Sequence, residues 1–460
     1  MLTFKLKKMK YLLILFGSLL FITSCSSDLD QIPTVDPQAD GLTNFTNVLN
    51  AAYFYQTASV TPMAVMGDFR ADNAFMFESP YTDYDVFNAN LLSQEIQFTR
   101  PFYAALYKSI LSSNIVIEKS TNAVQVGEAK FIRALSYFKL VQVFGAVPIN
   151  LSSAPSTTDT SILVRQPVAT VYDNVIIPDL IDAKTALGAP RSTTGRATKY
   201  AAQALLGKVY LTRGQFGLAK TELATVVGSG VFTMLSSAAY ASVFTVDLNT
   251  EILFATQISG SVPDEYVGSD FWTWYRGLDT KSPNPVDARL VAAFVASDAA
   301  AVSGTDIRKP VTLNGTTKGN KYPQVGGANI DWIEIRLADV VLMYAEALNE
   351  ETNDITARTA ALVQLKKIRD RAGLKDFGLV GAPAIPLTQV DVRTAIAKER
   401  RLELAFEGQR WFDLLRYNVV TPGAAQAAMG VAFNNNYYLF PIPDSEVKAS
   451  FGVITQNPGY

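Results

Sequence analysis

The stretch "KYAAQALLGKVYLTRGQFGLAKTELATVV", Lys199 to Val227, decides the fold of this chain. Apolar residues recur at helical steps on both sides of Gly214, which supplies a turn. Leu206-Gly207, Tyr210, Ala219 and Leu223 alternate small with large. Small side chains let two helices approach and large ones fill the gap between them, so the spacing predicts a helix-turn-helix unit.

That spacing is the one found in tetratricopeptide repeats, and looser copies of it lie on either side. "FYAALYKSILSSNIVIEKS" (Phe102 to Ser120) puts Tyr103, Leu106, Ile110 and Ile117 on one helical face. "EAKFIRALSYFKLVQVFG" (Glu128 to Gly145) does the same through Phe131, Leu135, Phe138 and Val141, and Gly145 fits a helix stop. "VATVYDNVIIPDLIDAKTAL" (Val168 to Leu187) is amphipathic, with Pro178 expected to kink or break it. Related pairs are read in Glu128 to Gly145 with Val168 to Leu187, and in Arg336 to Glu350 with Ala357 to Gly373. The predicted fold class is therefore mainly α: a scaffold of tetratricopeptide-like helical hairpins that stack to share one core. Two regions break the helical pattern, about 63–97 and about 228–331. They are rich in Gly, Ser, Thr, Asn and Pro, carry short β-type runs such as "EILFATQIS" (Glu251 to Ser259), and read as loop-rich insertions. Structured loops on a rigid scaffold are where binding groups usually sit.

The first residues follow a different logic. Lys5, Lys7, Lys8 and Lys10 precede the apolar run "YLLILFGSLLFI", then Thr23, Ser24 and Cys25, the single cysteine. Basic start, short apolar run and small residues make a secretory signal peptide. The run is shorter than the roughly 20 residues of a transmembrane helix. Ile22-Thr23-Ser24-Cys25 also resembles a bacterial lipobox, which implies cleavage before Cys25 and acylation of that residue. The expected organisation is a signal peptide at 1–24, a lipidated polar tether at 25–41 and one folded body at 42–460. Several acyl chains on one residue give stable anchoring.

Composition narrows the chemistry. Of 40 basic residues four leave with the signal, so 36 stand against 42 acidic ones, a net of −6, which is no electrostatic footprint for nucleic acid. There is no histidine, which excludes Ser-His-Asp triads and His-ligated metals. With no thiol left in the mature body, a disulfide framework is excluded too. "GNKYPQVGG" (Gly319 to Gly327) matches no phosphate loop and reads as a turn. No catalytic residue, metal or cofactor is expected.

Read in order, "SCSSDLDQIP", "AKFIRALSYFKLVQVFGAVP" (Ala129 to Pro148), "GRATKYAAQALLGKVYL" (Gly195 to Leu211), "IEIRLADVVLMYAEALN" (Ile333 to Asn349), "IRDRAGL", "IAKERRLELAFEGQRWFDLLRY" (Ile396 to Tyr417), "LFPIP" (Leu439 to Pro443) and "QNPGY" (Gln456 to Tyr460) resemble the SusD/RagB family along the whole chain. The resemblance implies a helical body of four tetratricopeptide-like pairs with an irregular, loop-rich side. It also implies a lipoprotein on the outer face of the outer membrane of Bacteroidetes-type bacteria. Such a protein caps a SusC-like, TonB-dependent β-barrel transporter and delivers it nutrients, usually oligosaccharides and in some cases peptides. Family members are binding proteins, so no enzyme is expected. Within "ERRLELAFEGQRWFDLLR" the charges Glu399, Arg400, Glu403, Glu407, Arg410, Asp413 and Arg416 are read as buried ion pairs, and Trp332 and Trp411 as core.

Ligand residues vary in this family, so they have to be found physically. Sugars are held by flat aromatic faces and planar polar groups. "DEYVGSDFWTWYRG" (Asp264 to Gly277) offers Tyr266, Trp272, Trp274, Tyr275 and Arg276 and holds half of the tryptophans. In an extended segment Trp272 and Trp274 would point to one side and Tyr275 to the other. "GDFRADNAFMFESPYTDYDVF" (Gly67 to Phe87) offers Asp68, Arg70, Asp72, Asn73, Tyr81 and Tyr84. Both clusters also fit buried loop anchors. The leading function is capture of a glycan. The alternatives are capture of peptides, an assembly subunit that binds only a partner protein, and a surface glycoside hydrolase.

Overall fold

A computed structural model describes residues 44–258, 270–322, 330–375 and 387–460. The signal peptide, Cys25, the tether and Tyr266 lie outside the described residues, as does part of the turn at Gly319 to Gly327.

Helices dominate because the apolar periodicity is capped at the right places. Helix α1 is Thr46–Phe54, α2 Arg100–Lys119 and α3 Ala123–Phe144. The Asn122 side chain accepts from the Val124 and Gln125 amides to start α3, and Gly145, at φ 72°, ends it. Helix α4 is Ile177–Ala186. A π-helical turn, Tyr172–Ile176, runs directly into it. Pro178 in its first turn thus leaves the helical run bulged rather than broken: it lacks the N–H that would continue the ladder, and the π-helical turn before it accommodates that loss. Thr198 caps α5, Lys199–Thr212, and α6 is Phe216–Gly228. Gly207 is where these two meet: a Cβ on it would lie 2.6 Å from Leu223 Cδ2. Gly214, at φ 70°, makes the turn between them.

Strand β1 is Ile252–Thr256, α7 is Phe271–Arg276 and β2 is Trp332–Arg336. The strands pair antiparallel, Ala255 opposite Ile333 and Thr256 opposite Trp332, with a register shift after Ile252. Both are buried along their length, so the sheet is a rib inside the body rather than a surface. Helix α8 is Leu337–Glu351, α9 Ile355–Arg371, α10 Gln389–Glu403 and α11 Arg410–Tyr417. A reciprocal Thr388–Asp391 capping box opens α10. Neighbours pack in the order α1, α2, α3, α4, α5, α6, α8, α9, with α10 also against α8. The pairs read from periodicity, α3 with α4, α5 with α6 and α8 with α9, are all in contact. One continuous apolar cluster runs from Ala52 to Ile454.

At its centre lies the charged motif. Arg336, at the end of β2, donates to Glu407 Oε1 and Oε2 at 2.7 Å, to Glu403 Oε1 at 2.7 Å and to Glu251 Oε1 at 3.0 Å. Arg371 reaches Glu251 at 2.6 Å and Glu403 at 2.5 Å, and Arg308 reaches Glu399 at 2.6 Å and Glu403 at 3.3 Å. Arg400 joins Asp339 and Asp413, Arg416 joins Asp413 and Glu346, and Arg410 joins Asp72. Every charge of the motif is therefore paired, as isolated buried charges could not be. Three guanidinium groups around Glu403 overcome its burial and hold its carboxyl far below the usual carboxylate range. Trp332 and Trp411 are buried as expected. Asn457 closes the C-terminal end, donating to the Phe144 and Phe440 carbonyls at 3.0 and 2.7 Å.

Candidate ligand-binding surface

The two aromatic loops nominated separately come together in space. Residues 73–78 run alongside 281–287: Phe75 N donates to Pro285 O at 2.9 Å, Phe77 N to Lys281 O at 2.9 Å and Asp287 N to Asn73 O at 3.1 Å. The Tyr81 ring meets the Trp274 edge with centroids 6.3 Å apart, and Tyr275 stacks on Phe69 at 5.4 Å.

The polar half of the first loop is an internal brace. Asp68 is buried and accepts from Tyr275 Oη at 2.8 Å, Gly408 N at 2.7 Å and Asn73 Nδ2 at 2.9 Å. Burial still raises its carboxyl to about 6, because those donors only partly offset desolvation. Gly408, at φ 66°, comes so close to Gly67 that a Cβ on Gly67 would lie 2.0 Å from the Gly408 carbonyl oxygen. Asp72 accepts from Arg410 at 2.6 Å and Arg401 at 3.0 Å, and Asn73 Oδ1 accepts from Arg401 Nε at 3.0 Å. Arg70 donates to the Tyr84 and Tyr437 carbonyls at 2.7 and 3.0 Å and lies 4.0 Å over the Phe87 ring. Asp68, Arg70, Asp72 and Asn73 thus tie the loop to the C-terminal part of the chain, Tyr84 packs on Phe98 and Phe440, and the burial of all five corrects the expectation that they contact ligand.

A second correction concerns the tryptophans. The segment is helical, not extended, so residues two apart point to opposite sides. Trp274 turns inward and is 1% exposed, with Phe98 at 5.5 Å and Phe69 at 6.3 Å in edge contacts. Its Nε1 donates to Asp270 Oδ2 at 3.3 Å. Tyr275 is buried beside it. These two are core anchors. Trp272 is half-buried, and its covered Nε1–H has no hydrogen-bond partner among the described residues. Arg276, also half-buried, donates to Tyr322 O at 2.7 Å.

What the loops leave accessible is a smaller aromatic and polar set. Trp272, Arg276 and Tyr81 belong to it from the sequence reading. Phe77, 67% exposed, and Lys281 join them. The Lys281 ammonium sits 5.4 Å from the Tyr81 centroid and 5.3 Å from that of Trp274. Sequence reading missed both; Phe77 follows Phe75 and Met76 in "AFMFESP", and nothing in that run marks it as the exposed one. Asp85, in the same loop as Tyr81, is half-buried, and burial raises its carboxyl to about 7. Among the described residues no cluster of three or more acidic or thiol side chains could hold a metal ion, and no helix is long and apolar enough to cross a membrane.

A stack of helical hairpins carrying such a loop-built surface defines a scaffold of the ligand-presenting kind. Comparison with known proteins gives its family. Residues 296–460 match the SusD family profile, and residues 25–211 match a profile described as starch-binding associating with outer membrane. The chain belongs to the SusD/RagB family. It is 27% identical to the SusD-like protein P2 of Formosa agariphila over 385 residues, 75% of each chain. It is 26% identical to the SusD-like protein P38 of the same organism, over 90% of this chain and 92% of that one. Its fold is shared with a SusD-like protein of Bacteroides fragilis (TM-score 0.71, 22% identity, 95% of this chain and 100% of the other). It is shared also with a laminarin-binding SusD-like protein (TM-score 0.69, 23% identity, 91% and 99%).

Proposed function

We propose that the protein captures a glycan at the cell surface and hands it to a TonB-dependent β-barrel transporter of the outer membrane, held there by acyl chains on Cys25. The observation that carries the binding part is the pairing of the two aromatic loops, which sets Tyr81 and Lys281 against Trp274 and leaves Trp272, Phe77, Tyr81, Arg276 and Lys281 at least partly accessible along them. Sugar rings present C–H groups to flat aromatic faces and hydroxyls to planar donors, and these loops offer both. The laminarin-binding relative in fold and the starch-binding family profile support a glycan over a peptide. The lipobox-like "ITSC" supports the tether, and membership of the family supports the transporter as partner.

A glycan array run beside a peptide pool tests the ligand class. Retention of glycans that is lost in Trp272→Ala and Tyr81→Ala is expected; retention of peptides alone sinks the glycan reading. A mild-detergent pull-down from native membranes should recover a large barrel protein. Cys25→Ala should leave the membrane fraction; a variant that stays acylated and bound would refute the anchor.

A further inference from the structure

A concavity lies away from the loop pair, where α1 faces the end of β1 and the turn before α5. It encloses about 280 Å³, near the lower end of small-ligand sites, which start at roughly 300 Å³. That is room for one sugar ring rather than a chain. Its walls are Tyr53, Phe54 and Phe254, and its polar groups come from Asn50, Arg196, Thr194 and Gln257. The architecture around them is fixed. Tyr53 Oη donates to Glu128 Oε2 at 2.7 Å and accepts from Ala197 N at 3.0 Å. Burial, with Glu128 beside it, keeps that hydroxyl protonated far beyond neutral pH. The Arg196 guanidinium lies 4.7 Å from the Tyr53 centroid, pairs with Glu128 at 3.3 Å and reaches Asn50 Oδ1.

Two polar groups at the mouth are left over. The Gln257 amide and the Thr194 hydroxyl are exposed and make no hydrogen bond among the described residues. Gly195 keeps them in place. Its φ is 73°, and a Cβ there would lie 2.2 Å from Gln257 Oε1, so only a glycine lets the amide lie across the turn without displacement. The result is a preformed cleft with aromatic walls, a planar amide, a hydroxyl and a guanidinium whose charge Glu128 already balances.

We propose that this cleft is a second binding site, for a single neutral pyranose unit. The choice of a sugar rests on the glycan reading above; the preference for a neutral one rests on the Arg196–Glu128 pair, which leaves no net positive charge for a carboxylate or sulfate. A single polysaccharide chain long enough to occupy both places would gain by effective concentration.

Saturation-transfer NMR with methyl β-glucopyranoside, methyl β-galactopyranoside and methyl β-glucuronide tests this. The wild-type protein and Trp272→Ala should transfer magnetisation to at least one neutral glycoside and not to the glucuronide. In the Trp272→Ala background, which removes the contribution of the loop surface, Thr194→Trp, at an exposed position, should fill the cleft and abolish transfer, and Phe54→Ala should reduce it at least threefold. Circular dichroism checks that both remain folded; Thr194→Trp decides if Phe54→Ala does not. No transfer to either neutral glycoside, transfer that survives Thr194→Trp in that background, transfer lost in Trp272→Ala, or preference for the glucuronide would each overturn the proposal. Failure of the loop surface reads separately, as glycan-array retention unaffected by Trp272→Ala and Tyr81→Ala.

Discussion

Replacing the two tryptophans of α7 one at a time separates core from surface. Trp274 is 1% exposed and contacts Phe69, Tyr81 and Phe98, with Lys281 over its face. Trp274→Ala removes a whole indole from a packed interior, which costs about 3–5 kcal/mol including the cavity left behind. It also leaves Asp270 Oδ2 without the indole donor. Native proteins hold about 5–15 kcal/mol in total, so the variant should be visibly weakened. Trp272, only half-buried, should cost far less stability and should lower glycan affinity. A loss of about 1.4 kcal/mol there is a tenfold rise in Kd. Urea unfolding followed by circular dichroism reads the first effect, and calorimetry with a glycan retained on the array reads the second. The reasoning fails if Trp274→Ala unfolds within about 1 kcal/mol of wild type, or if Trp272→Ala is the more destabilised of the two.

Three further outcomes follow from the same geometry. Glu403→Gln leaves Arg336, Arg371 and Arg308 short of their shared carboxylate, and breaking such a buried set should cost about 3–5 kcal/mol in urea titration. Gly207→Val should destabilise by about 1–3 kcal/mol through its clash with Leu223, and Leu223→Ala in the same chain should recover part of that, a coupling a double-mutant cycle would measure. Asp68, Asp85 and Asp331 have carboxyls raised by burial to about 6, 7 and 6. The native state therefore holds protons that the unfolded chain has already released above pH ~4, and stability should fall as pH rises from ~4 through ~7. Each proton of difference contributes up to about 1.4 kcal/mol per pH unit. Asp331→Asn, which keeps the oxygen that accepts from Ile258 N, should flatten that slope; an unchanged slope would remove Asp331 from the account.

The sequence by itself determined the helical scaffold and its pairing, because the information is local. Gly207 and Leu223 lie on either side of a single turn, and the Gly145 stop acts within a turn of its own position. The ionic motif was legible for a related reason: seven charges among apolar residues have no stable arrangement except as pairs. Which partners they take was not legible, since Arg336, Glu251 and Arg371 come from other elements. The same distance hid the fate of the first loop. Asp68, Asp72 and Asn73 look like a solvated turn until Arg401, Gly408 and Arg410, more than three hundred residues later, close over them. For Trp272 and Trp274 the deciding fact was one of backbone. Two residues apart are on one side of a strand and on opposite sides of a helix, and a six-residue segment has too little intrinsic preference to choose. Packing against Phe69 and Phe98 made the choice, sending one indole into the core and leaving the other at the surface.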